Sequence, residues 1–269
     1  MKIGNREFDV NNDTYVMGIL NVTPDSFSDG GKFNNLEAAL AHTEEMIKEG
    51  ATIIDVGGES TRPWGYTLIS DEEEIGRVVP VIRAIKEKFD IPVSIDTYKS
   101  KVAEAAIAAG ADLVNDIWGL KYDKNMAKVI ADAGVACCLM HNRDNMEYTS
   151  FMDDMLTDLQ ETVQLAKEAG IADDKIMLDP GVGFAKSYEN NLEAIQKVGR
   201  LHELGYPVLL GTSRKSVVGL TLDTTKDERV EGTLVTTVFG VQQGCAFVRV
   251  HDVKENMRAI RMTQAILKG

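Results

Sequence analysis

The sequence predicts an α/β fold of the (β/α)8, or TIM, barrel type, and three observations carry that reading. Eight short apolar runs rich in Val, Ile and Leu recur at 16–20, 52–56, 92–95, 112–114, 135–140, 175–178, 207–210 and 246–250. None alternates apolar with polar residues, as expected of parallel strands covered on both faces. Helical periodicity fills the intervals, and glycine falls just past six of them, at Gly50, Gly110, Gly134, Gly170, Gly205 and Gly244, where a helix end turns.

Taken in order, the first ten residues precede the first run and read as a small hairpin closing the barrel bottom. The successive runs are then followed by helical stretches at 36–49, 71–89, 100–109, 124–133, 153–169, 190–204, 228–243 and 254–267. Units of roughly 30 residues, with no linker or composition shift, fit one barrel of the usual ~250 residues. A doubly wound open sheet is the competing reading, but it would carry a phosphate-binding glycine fingerprint after its first strand.

The chain has 269 residues, 44% hydrophobic and 26% charged, which is ample for a buried core. A net charge of −13 argues against a nucleic-acid surface, because binding a polyanion needs clustered Lys and Arg. A small molecule is the better partner. Cys137, Cys138 and Cys245 are too few and too oddly spaced for a disulfide framework or a zinc site, and read as small core side chains. Met1 to Phe8 form no apolar leader, and no apolar stretch approaches the ~20 residues that span a bilayer. A reduced, cytoplasmic setting is expected.

The most informative segment follows the first run: Asn21-Val22-Thr23-Pro24-Asp25-Ser26-Phe27-Ser28-Asp29-Gly30-Gly31. Its Pro, Asp, Ser and Gly residues are too dense for a helix or strand core, so it is a loop. In this fold the C-terminal strand ends and the loops after them form the active face. Those positions supply Asn21; Asp55, Glu59, Thr61 and Arg62; Asp96; Asn115 and Asp116; Met140, His141 and Arg143; Asp179; Thr212 to Ser216; and Arg249, His251 and Asp252.

A single Asp at a strand end also serves as a turn former or helix N-cap. Asp96, Asn115 and Asp179 end three strands, which favours a shared ligand. Carboxylates accept paired hydrogen bonds and Asn both donates and accepts, so the trio suits a flat heterocycle such as a 2-amino-pyrimidinone, with Met140 and Phe184 against its faces. Arg62, Lys215, Arg249 and His251 gather cationic groups in an acidic chain and read as an anion site. Ser213 to Ser216 open towards a helix whose first N–H groups could hold a carboxylate or phosphate. Asn21 and the first-loop carboxylates offer oxygen ligands, which suits Mg²⁺ beside a diphosphate.

Together the segments 17–31, 55–63, 94–97, 115–119, 179–184, 211–216 and 249–253 resemble the dihydropteroate synthase family of the folate pathway, the target of sulfonamides. Asn-Val-Thr-Pro-Asp-Ser-Phe-Ser-Asp-Gly and Gly-Thr-Ser-Arg-Lys-Ser are the specific motifs, and the match runs across essentially the whole chain. The resemblance implies one pterin-binding barrel domain over residues 1–269. The implied activity is a transfer joining 6-hydroxymethyl-7,8-dihydropterin diphosphate to 4-aminobenzoate, with release of pyrophosphate. Asp96, Asn115, Asp179 and Lys215 would bind the pterin, with Met140, Phe184 and Gly211 around it. Asn21, Thr61, Arg62, Arg249 and His251 would hold the diphosphate, with Mg²⁺ on Asn21, and Phe27, Pro63, Lys215 and Ser216 would line the aminobenzoate site. Asp96, Lys215, Arg249 and His251 form the implied catalytic set, and a homodimer is the family expectation.

One departure is Trp64, which stands between Pro63 and Gly65 where the family runs from Pro directly into Gly. The competing function is a pterin-binding module of a corrinoid-dependent methyltransferase, which would share the barrel and the Asp and Asn contacts. Lys215, Ser216 and the two anion-binding loops speak against it.

Overall fold

The computed structural model describes residues 1–22, 32–60 and 68–269. The chain opens with β1 (Lys2–Ile3) and β2 (Arg6–Glu7), an antiparallel pair in which Lys2 faces Glu7 and Ile3 faces Arg6. The expected hairpin is present. The sequence then alternates: β3 (Tyr15–Asn21), α1 (Lys32–Glu49), β4 (Ile53–Gly57), α2 (Asp71–Lys88), β5 (Val93–Asp96), α3 (Ser100–Ala108), β6 (Leu113–Asp116) and α4 (Met126–Ala133). It continues with β7 (Ala136–Met140), α5 (Phe151–Glu168), β8 (Ile176–Asp179), α6 (Tyr188–Gln196), β9 (Leu209–Leu210), α7 (Ser216–Leu222), α8 (Val230–Gln242), β10 (Phe247–Val250) and α9 (Val253–Lys268).

Among the described residues, the strands from β3 to β10 form one eight-stranded sheet in the order β8-β7-β6-β5-β4-β3-β10-β9. Every pairing within it is parallel. A parallel bridge between Leu178 of β8 and Val208, just ahead of β9, joins the two ends of that order. The barrel expected from the eight apolar runs is therefore formed.

Side-chain alternation along each strand divides the interior into two layers. Val16, Ile54, Val93, Val114, Cys137 and Leu178 belong to the larger core that also holds buried helix residues such as Val78, Ile82, Leu159 and Ile260. Their neighbours Met17, Ile53, Leu113, Cys138, Met177 and Phe247 pack together inside the barrel with Ile3 and Phe8 of the N-terminal segment. Phe8 stacks at 5.5 Å from Phe247 and 4.9 Å from Tyr15, so the hairpin stoppers the lower end.

Two expectations need correction. The stretch 190–204 is not one helix: α6 ends at Gln196, Lys197 leaves helical geometry at φ −115°, and a 3₁₀ turn spans Val198–Leu204. The cause is tertiary, because the Gln243 side chain donates to Ile195 O at 3.1 Å and accepts from Gly199 N at 3.1 Å. Similarly, 228–243 starts as a 3₁₀ turn at Lys226–Glu228, closed by a Thr225–Glu228 capping box, before α8 begins. No helix among the described residues is long and apolar enough to cross a membrane.

Candidate active site

The polar residues that close the apolar runs are the last residues of strands, not the first of loops: Asn21, Asp96, Asp116 and Asp179 all lie within sheet pairing. They inherit the rigidity of the barrel. Register places Asn21 beside Gly57, Gly57 beside Asp96, and Asp96 beside Asn115, in one row across β3 to β6. Met140 stands beside Asp179 on β7 and β8. Arg249 enters from β10, beside Met17. Elements far apart in sequence thus meet at one mouth.

Arg249 ties that mouth together. Its Nε donates to Asp55 Oδ2 at 2.6 Å and a terminal nitrogen donates to Asp96 Oδ2 at 2.6 Å. Asn115 Nδ2 adds a 3.4 Å contact to the same oxygen of Asp55, which is fully buried. The guanidinium read from sequence as an anion-binding group is here already shared between two acids. Among the described residues Asp96 Oδ1 and Asp55 Oδ1 are buried without a hydrogen-bond partner. A buried acceptor left without a donor is costly.

Burial pushes the Asp96 carboxyl up to about 7; Arg249 opposes the shift and Asp55 adds to it. Asp179 is raised by burial against the pull of Lys215, and its Oδ1 accepts from Gly181 N at 2.7 Å. Lys215 is pushed down to about 8 by burial, with Asp179 countering. Its Nζ donates to Val182 O and sits 5.0 Å from the centre of the Phe184 ring. Gly211 leaves this floor open, since a Cβ there would stand 3.5 Å from Asp179 Oδ2. Met140 and Phe184 meet in a small apolar cluster with Tyr98, Ile117 and Trp118.

His251 hangs from a clasp with Ser213, whose Oγ lies 3.0 Å from His251 Nδ1 and accepts from His251 N at 3.1 Å. Burial, with Arg249 and Arg214 nearby, pushes its imidazole down to about 3, so it is a neutral ring at pH 7. The Ser213 hydroxyl hydrogen is free to donate to Nδ1, and in that tautomer Nε2 carries the proton. The helix expected after Ser216 is the short α7, and Ser216 is its exposed first residue.

Asn21 is exposed at the end of β3. No cluster of three His, Cys, Asp or Glu side chains suited to a metal is present among the described residues. Phe27, Thr61, Arg62, Pro63 and Trp64 lie outside the described residues. Sequence reasoning placed Asp55 on the active face but gave it no role, and its pairing with Arg249 was not foreseen. Tyr98, Ile117 and Lys186 carried no such signal, because their placement depends on how loops fold back.

Fold and mouth together define a barrel of the enzyme type, with its polar groups collected at the C-terminal face. A family model described as pterin binding enzyme matches residues 17–251. The dihydropteroate synthase of Clostridium beijerinckii is 64% identical over 269 residues, covering 100% of both chains. Among solved structures, the dihydropteroate synthase of Clostridium difficile, determined in the presence of pteroic acid, superposes with a TM-score of 0.95 at 51% identity, covering 98% of this chain and 100% of that one. The Xanthomonas albilineans dihydropteroate synthase with 4-aminobenzoic acid gives 0.91 at 40% identity, covering 96% and 94%. The chain belongs to the dihydropteroate synthase family of pterin binding enzymes.

Proposed function

We propose that this mouth condenses 6-hydroxymethyl-7,8-dihydropterin diphosphate with 4-aminobenzoate to give 7,8-dihydropteroate and pyrophosphate. The observation that carries the assignment of roles is the convergence of Asp96, Asn115, Asp179 and Lys215 on one face, with Asp96 Oδ1 unpartnered among the described residues. The two acids accept from the N–H groups of the pyrimidinone edge, Asn115 both donates and accepts, and Phe184 and Met140 flank the ring.

Catalysis here demands a stabilised leaving group more than a strong base. The C–O electron pair departs with pyrophosphate, so groups that bind that growing charge better than the bound ester lower the barrier. We assign that task to Arg249, which borders the mouth through its bond to Asp96, and to His251 beside Ser213, with Thr61 and Arg62 added by family likeness. The cation left on the pterin methylene spreads into the ring, where the Asp96 and Asp179 carboxylates favour it. The arylamine nitrogen then attacks the methylene and releases its proton. No covalent enzyme intermediate is required.

Asn21 Oδ1 is a hard oxygen donor at the mouth, which fits a Mg²⁺ that fills its remaining positions with water and substrate phosphate oxygens. When bound, such an ion supplies charge neutralisation to the diphosphate. Lys215 and Ser216, with Phe27 and Pro63, are assigned to aminobenzoate. The assembly is a homodimer through α6, α7 and α8, where Leu192, Leu220, Val235 and Phe239 expose apolar side chains on adjoining helices.

The methyl-carrier alternative is not favoured, because full-length similarity is to dihydropteroate synthases. A direct test mixes protein, pterin diphosphate, 4-aminobenzoate and Mg²⁺ and follows pyrophosphate. Release that depends on both substrates supports the assignment, and none at saturating substrate refutes it.

A further inference from the structure

Lys186 is a buried lysine that the chemistry above does not use. It is 7% exposed, and its Nζ donates to Phe184 O at 3.0 Å and meets His141 Nδ1 at 2.9 Å. The ionised Asp158 carboxylate only accepts, so His141 Nε2, 2.9 Å from Asp158 Oδ2, carries the proton and Nδ1 accepts from Lys186 Nζ. Asp158 in turn receives Arg143 Nε at 2.5 Å, and Arg143 lies over the Tyr148 ring. Burial pushes His141 down to about 4, which keeps Nδ1 available as an acceptor.

What this network holds is the loop from Pro180 to Ser187. The loop passes through left-handed backbone at Gly181, Gly183 and Ala185, with φ of 68°, 89° and 45°. Ala185 is not a glycine, and such a conformation persists only where its surroundings impose it. Tyr148 OH donates to Ala185 O at 2.8 Å, and Lys186 seizes the preceding carbonyl. Lys215 grips the same loop from the mouth side, at Val182 O and over the Phe184 ring. Two lysines therefore hold carbonyls of the same loop, Lys215 at Val182 and Lys186 at Phe184.

We propose that Lys186 is a positioning residue of the pterin site, acting through the β8 loop to set Phe184 and Lys215. Burial pushes the Lys186 ammonium down to about 7, with the Asp179 and Asp158 carboxylates countering, and Asp158 itself pairs with His141 and Arg143. An apolar side chain would fill the same space at lower cost, but it could not hold the Phe184 carbonyl. The inference rests on the pterin reading of the mouth.

The test is calorimetric titration of 6-hydroxymethyl-7,8-dihydropterin diphosphate into wild type, Lys186→Met, Lys215→Met, Asn115→Ala and the two double variants that combine Lys186→Met with each of the others. Lys186→Met alone weakens binding ~10-fold or more; it adds less than ~3-fold in the Lys215→Met background but keeps its full effect beside Asn115→Ala. Unchanged binding in the single variant, or the same added loss in both backgrounds, overturns the proposal. A general collapse of the mouth blunts the effect in both backgrounds and also overturns it. Should Lys186→Met fail to fold, Tyr148→Phe loosens the same loop at Ala185 and is judged by the same criteria. Failure of wild type to bind refutes the pterin reading itself, whereas failure confined to the variants refutes only the role of Lys186.

Discussion

At the scale of single residues, the site is governed by how few counter-charges serve several buried groups. Arg249 is shared between Asp55 and Asp96, and Lys215 is the main counter-charge to Asp179. The pH profile should report this. Asp96 must be ionised to accept from the pterin, and it sits at about 7, so kcat/KM rises as pH climbs through that value. Lys215 loses its charge above about 8, so kcat/KM then falls. Lys215→Arg should abolish the alkaline fall and leave the acid limb; an unchanged fall would show that another group titrates. The sequence made Asp96, Asn115 and Asp179 legible, because polar residues closing apolar runs point to strand ends. It hid the ion pairs of Arg249, since Asp55 and Arg249 lie on strands separated by most of the chain and meet only after the barrel closes.

At the scale of elements, short parallel strands do the positioning, and the loop after β8 shows how tightly. Gly181 has φ +68°, and a Cβ there would collide with the His141 carbonyl oxygen. Gly181→Ala should therefore cost at least about 2 kcal/mol in urea unfolding, from left-handed strain plus the clash. It should also depress pterin binding, since Gly181 N is a donor to Asp179. Wild-type stability would mean that the loop relaxes freely. Apolar periodicity located every strand to within a residue or two, because burial on both faces leaves a strong signature. The same logic failed at α6, where Gln243, over forty residues away in sequence, takes the backbone groups that would have continued the helix. A local pattern carries no information about such a partner.

For the whole molecule, stability and chemistry are lodged at opposite ends of the barrel. Phe8 is 3% exposed among Tyr15 and Phe247 at the lower end. Phe8→Ala should cost about 3–5 kcal/mol by opening a cavity there, while kcat well below the melting temperature stays as in wild type. A large loss of kcat would show that the two ends are coupled. The proposed dimer has its own check: Phe239→Glu places a charge in the exposed apolar face of α8 and should yield monomers in sedimentation velocity, whereas unchanged dimers would move the interface elsewhere.

The central claim is a division of the mouth into a half that reads the pterin ring and a half that receives its anionic tail. The most direct measurement compares the affinity of 6-hydroxymethyl-7,8-dihydropterin, with and without its diphosphate, for wild type, Asp179→Asn and His251→Ala. Asp179→Asn should weaken both ligands alike, by ~100-fold or about 2.7 kcal/mol, while His251→Ala should weaken only the diphosphate. Equal losses for both ligands in both variants would contradict the division.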